Sequence, residues 1–206
     1  MRRSTAVKQV AGFVEEAEDF HRRAAHLVAA TLAELWVGGA VLGTAERIDT
    51  YDVVLVLDAP AAEIPWLALH PAGEWYGDRL RLTKVMAEWF LRSTEHGVHN
   101  HRLRELVRVW TPDGPDEALI DRLRRGELTP TDISQPPDDA TLAAQLETEL
   151  VQCRQHLATI LDSYFDRDWR RAHKGYGVYP EEHLWRAAQA VRELTDALTA
   201  LRPQHP

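Results

Sequence analysis

The stretch Trp36–Asp58, WVGGAVLGTAERIDTYDVVLVLD, decides how this chain is read. Val37 leads into the pair Gly38-Gly39, a short excursion follows, and Asp52 opens an aliphatic run that closes at Asp58. The segment ELWVGG reads as a strand ending in glycines. VVLVLD shows no polar alternation, which suits a strand covered on both faces. Glycine lets another group approach the main chain closely, so the pair between the two strands is the first place to look for a site.

Working outward, Ser4 is a helix N-cap, and Val7, Val10, Phe13, Val14, Ala17 and Phe20 recur at three-four spacing, predicting an amphipathic helix. AAHLVAATLA, residues 24–33, predicts a second, shorter helix. Downstream, GDRLRLTKVMAEWFLRST and LRELVRVWTPDG each carry an aromatic and aliphatic stretch able to extend the sheet. PDEALIDRLRRG is a short helix with Pro115 near its start and Gly126 just past its end. Trp66 and Trp75 fit core positions.

ELTPTDISQPPDD, residues 127–139, has three prolines and no periodicity, and marks a boundary. Beyond it, Leu142, Leu146, Leu150, Cys153, Leu157, Ile160 and Tyr164 form one helical stripe, and Leu184, Ala188, Val191, Leu194, Leu198 and Leu201 form another. The expected fold is α/β (α+β): a small mixed sheet with flanking helices over 1–126, a linker over 127–139, and an antiparallel helical hairpin over 140–206.

A chain of 206 residues can bury roughly 70% of its unfolded surface in a compact form. The net charge of -8 argues against a nucleic-acid scaffold, because phosphate contacts demand clustered Lys and Arg. Only Lys8, Lys84 and Lys174 accompany 21 arginines, a bias that fits a GC-rich bacterial genome. The single Cys153 excludes an internal disulfide and points to a reducing, cytoplasmic setting, with the thiol as apolar filler. No 18-residue apolar run predicts a membrane span, and the N-terminal residues have no signal-peptide core.

The order helix, strand, glycine pair, excursion and aspartate on a second strand resembles the minimal nucleotidyltransferase superfamily. Its motif is a hydrophobic residue, Gly, Gly or Ser, and about a dozen residues later Asp-hydrophobic-Asp-hydrophobic. Val37, Gly38 and Gly39 match the first half, Asp52, Val53 and Leu55 the second, and Gly43 the glycine that often ends the turn. The resemblance implies magnesium held by paired carboxylates in an active enzyme. Two positions depart from it: Val54 stands where the second carboxylate belongs, and Leu42 where a basic residue is common. Glu88 in MAEWF is the candidate for a carboxylate on a third strand, and Asp49 and Asp58 are nearby acids out of register. Over most of its length, through WVGGAVL, VVLVLD, PWLALHPAGEW and YFDRDWRRAHKGYGVYPEEHLWRA, the chain also resembles an uncharacterised bacterial family of unknown function.

Two further segments carry chemistry. In YFDRDWRRAHKGYGVYPEEHLWRA, Arg170, Arg171 and Lys174 are donors for a phosphate or carboxylate, and Trp169, Tyr176 and Tyr179 are faces for a planar ligand. His173 and His183 are acid/base candidates there, and plugging of the hairpin's open end is the structural alternative. In EHGVHNHR, His96, His99 and His101 are imidazoles within reach of a metal, and Asp52 is the other metal candidate. The reading that follows is a non-catalytic nucleotidyltransferase-like protein binding a small ligand or a protein partner. Alternatives are a metal-dependent transferase using Asp52 and Glu88, a small-molecule enzyme of the inter-domain cleft, and a helical interaction module. Substrate and oligomeric state have no signature in the sequence.

Overall fold

The computed structural model describes residues 1–24, 28, 30–174 and 179–201. Helix α1 spans Arg3–Ala24 and buries the predicted stripe, Val7, Val10, Phe13, Val14, Ala17 and Phe20, to 5% exposure or less. Strand β1 follows at Thr31–Gly38. The helix expected over 24–33 is therefore corrected: Thr31, Leu32 and Ala33 are strand, and residues 25–27 and 29 lie outside the described residues. Leu32 pairs with Leu57 and is buried, so sheet pairing outweighs the helix preference of the local alanines.

A single 3₁₀ turn, Gly39–Leu42, leads toward β2, Tyr51–Asp58, which pairs antiparallel with β1. Helix α2, Pro71–Arg79, precedes β3, Ala87–Ser93, which runs parallel to β2. Strand β4, Leu106–Thr111, pairs antiparallel with β1, and the two-residue β5, Gly114–Pro115, completes the order β3-β2-β1-β4-β5. Helix α3, Glu117–Arg125, is capped by the Asp116 side chain and closed by Gly126 at φ +72°. The sheet is mixed, as expected.

Both sheet faces are covered, which explains why β2 reads as a continuous apolar run. Tyr51, Val53, Leu55 and Leu57 join the core built with α1, α2 and α3. Val54 and Val56, alternating onto the opposite face, join Trp66, Phe90, Leu142, Leu146, Leu150, Ala190, Leu194 and Leu198. That second layer is the hairpin: α4 at Asp139–Ser163 and α6 at Pro180–Leu201, with the short α5, Arg167–Ala172, between them. The helices run antiparallel, for Glu149 and Glu193 both act on His101 while His156 acts on His183 near the start of α6.

Two contacts staple the hairpin to the sheet. Arg92 of β3 donates bidentately to the Glu149 carboxylate of α4 at 2.7 and 2.9 Å, with both side chains 1% exposed. The same guanidinium donates to the Gly97 carbonyl at 2.7 Å, so the buried charge is solvated by the protein. Trp66 stacks on Phe90 at 5.2 Å and donates from Nε1 to Glu193 at 2.9 Å. Cys153 is buried, and burial pushes its thiol up to about 12, in keeping with an inert core residue. Trp66 is in the core as expected, whereas Trp75 is 39% exposed and packs on Phe20 at 4.3 Å.

Candidate functional site

The site forms where β1 ends and β2, β3 and β4 begin. Gly38 stands opposite Asp52 in one ladder and opposite Leu106 in the other. A Cβ on Gly38 would lie 2.6 Å from Leu106 Cδ2 and 2.8 Å from the Glu105 carbonyl, so no side chain fits. Gly39 has φ +70°, and a Cβ there would sit 3.0 Å from Asp52 Oδ2. The pair thus brings backbone against the aspartate. Arg3 holds the turn from behind, donating to the Val41 carbonyl at 3.0 Å and to the Leu123 carbonyl at 2.7 Å.

Gly39 and Asp52 line a cleft of about 380 Å³ with Arg102, Arg104, Glu105, Gln135 and Pro136. The last two come from the proline-rich connection ahead of α4, whose Ser134 bridges back to Leu106. Burial raises the Asp52 carboxyl above its ordinary value; Arg102 opposes that rise and Glu88 adds to it. Glu88 is the ladder partner of Asp52 on the neighbouring parallel strand and is ion-paired with Arg102. Of the charged residues lining the cleft, only Arg102 has an ion-pair partner among the described residues.

The residue two beyond Asp52 points the same way but into a different environment. Val54 is 0% exposed in the core beneath the hairpin, among Trp66, Phe90 and Leu142. Leu42 is buried in the first core. Asp58 is at the far end of β2, opposite Thr31, and neither it nor Asp49 lines the cleft. Magnesium, implied by the resemblance for an active transferase, does not suit this donor set. One carboxylate of the adjacent pair is held by a guanidinium, and no group of three or more His, Cys, Asp or Glu suited to a metal stands together among the described residues.

His183 and His173 are not in this cleft. They meet at the free end of the hairpin, ring centroids 4.9 Å apart, and Trp169 stacks on His173 at 4.2 Å. The His173 Nδ1–H donates to the Trp169 carbonyl at 2.9 Å. Burial, with His173 and His156 beside it, lowers His183 to about 4. Arg170 is ion-paired with Glu181 at 2.7 Å, Lys174 lies 6.0 Å over the Tyr179 ring, and Arg171 is exposed. Tyr176 lies outside the described residues. Trp169 is half-buried against His173 and His183 at the end of the hairpin, whereas Trp185 is 64% exposed and Phe165 is 90% exposed.

The histidines of EHGVHNHR go to separate partners. His96 Nε2 donates to Gln152 at 2.8 Å, and His99 Nδ1–H donates to the Leu103 carbonyl at 3.1 Å while its Nε2 accepts from Ser134 at 2.8 Å. His101 approaches Glu193 at 3.5 Å, and burial keeps it below its ordinary value. The three imidazoles fasten a loop to the hairpin and the connection, rather than converging on one point.

Sequence reasoning missed Arg102, Arg104 and Gln135. Their signal was faint: LRELVRVW, which contains Arg104, reads as a strand, and nothing local shows that Arg102 before it or Gln135 of the proline-rich connection folds beside Asp52. Among the described residues no helix is long and apolar enough to cross a membrane. No curated protein and no solved structure matches the chain. A family model covers residues 1–200, nearly the whole length, and the chain belongs to that family, described as Domain of unknown function (DUF7711).

Proposed function

We propose that this protein is a non-catalytic, nucleotidyltransferase-like binder of a small ligand, held in the cleft between the Gly38-Gly39 turn and Arg102 and Arg104. The observation that carries the reading is the convergence of Gly39 and Asp52 on one cleft, while the second carboxylate position, Val54, is sealed into the core. Arg104 and Gln135 offer donors to an anionic or carbonyl group, and Asp52 offers an acceptor to an amine, amide or hydroxyl. The resemblance around the glycine pair makes a nucleotide the first class to try.

Thermal-shift measurements with a panel of nucleotides, with and without magnesium, test this. A ligand at a hundred times its Kd stabilises by about 2.7 kcal/mol, roughly 5–10 °C for a chain of this size. We expect a metal-independent shift that is lost in Asp52→Asn and reduced in Arg104→Gln. Absence of a shift with every nucleotide would remove the nucleotide reading. Magnesium-dependent transfer to any acceptor, abolished by Asp52→Asn, would show the protein to be an enzyme.

A further inference from the structure

We propose that Arg102 is a built-in counter-cation that supplies, beside Asp52 and Glu88, the positive charge a divalent metal would otherwise bring, and so keeps such ions out of the cleft. Asp52 and Glu88 are register partners on adjacent parallel strands, on the same sheet face. Arg102 lines the cleft with Asp52 and is ion-paired with Glu88. Its charge also works against the upward pressure that burial puts on the Asp52 carboxyl. A single fixed guanidinium therefore serves both acids.

The loop delivers Arg102 in a fixed place. Asn100 is fully buried, and its Oδ1 accepts from the backbone N–H of Arg102 at 2.9 Å and of Leu103 at 2.8 Å. Beyond that turn the guanidinium lies over the Phe90 ring, 4.7 Å from its centroid. Arginine forks match carboxylates through several directed N–H groups and never lose their charge, so the positive charge is permanent. A hydrated divalent ion approaching Asp52 would meet that charge at short range and gain few oxygen ligands in exchange. Without Arg102, Glu88 would lose its ion-pair partner, and Arg104 would be the one cation left beside Asp52 and Glu105 among the described residues lining the cleft.

The inference goes beyond ligand binding and holds whether or not a nucleotide occupies the cleft, so its test uses a metal alone. Manganese binding to the full chain is followed by electron paramagnetic resonance of the free ion, near neutral pH and without nucleotide. Arg102→Gln removes the charge and keeps a polar side chain; Arg102 is exposed, so the fold should survive. We expect Arg102→Gln to bind Mn²⁺ about tenfold or more tightly than wild type, and the gain to vanish in Arg102→Gln/Asp52→Asn. Arg102→Lys, which retains the charge, should behave as wild type. The proposal is overturned if wild type already binds Mn²⁺ through Asp52 as well as Arg102→Gln does. It is equally overturned if Arg102→Gln gains nothing, or if Arg102→Lys gains as much.

Discussion

Placing an acid at position 54, where the nucleotidyltransferase resemblance implies one, should unfold this protein rather than create a metal site. Val54→Asp places an acid at a position with 0% exposure, surrounded by Trp66, Phe90 and the leucines of α4. Removing the valine side chain's burial costs about 1.5–2 kcal/mol. Burying an unpartnered polar group adds about 1–3 kcal/mol. Ionisation adds more: if the folded pKa rises about 3 units above an unfolded value near 3.9, the further penalty at neutral pH is about 4 kcal/mol. The total, roughly 7–9 kcal/mol, rivals the whole stability of an ordinary domain.

Val54→Asn is the control, because it carries the polar penalty without the charge. Urea denaturation of both variants from pH 4.5 to 7 isolates the ionisation term, since titrations common to the two cancel. The acid's folded pKa is raised, so the native state binds more protons between the two pKa values. Stability of Val54→Asp relative to Val54→Asn must therefore fall as pH rises through that window. A Val54→Asp protein within about 1 kcal/mol of wild type at pH 7, or one whose relative stability rises with pH, would refute the reasoning. Position 54 would then be open enough to hold an anion.

Two other expectations concern the hairpin. Glu149→Ala leaves the Arg92 guanidinium buried without its anion and should cost about 3–5 kcal/mol by chemical denaturation. Arg92→Met/Glu149→Met should recover much of that loss, and equal or greater damage in the double variant would show that the pair stabilises by more than mutual neutralisation. At the free end, His183 is held down at about 4 by burial and by His173 and His156. The unfolded chain therefore takes up its proton first, and stability falls as pH drops from about 6.5 toward 4, by roughly 1–2 kcal/mol after solvent screening. His183→Gln should flatten the stability profile in that window, and an unchanged slope would mean that the imidazole is solvated.

The sheet was legible because its strands carry their own record. VVLVLD is apolar without alternation, and both faces of β2 are buried. Likewise Gly126 closes α3 where the sequence placed its end, whereas the start is capped by Asp116 and Pro115 belongs to β5. The start of β1 at Thr31–Ala33 was not legible, and a helix was expected there instead, since these residues take strand geometry through pairing with β2. For the site, Gly38, Gly39 and Asp52 could be singled out locally, and Glu88 could be suspected. That Glu88 is the ladder partner of Asp52 follows from parallel register between strands separated by α2, which no local pattern encodes.

The sequence alone determined where the chain may bend and which stretches must be hidden, because glycine conformations and side-chain hydrophobicity belong to individual residues. It also determined that a valine, Val54, stands two residues beyond Asp52, where the nucleotidyltransferase resemblance implies an acid. Only the tertiary structure decided that this valine is roofed by the hairpin, that His173 and His183 meet away from the glycine turn, and that Arg102 pairs with Glu88 in the cleft beside Asp52. These are facts about distance between remote parts of the chain, and electrostatic and packing energies depend on that distance rather than on separation in sequence.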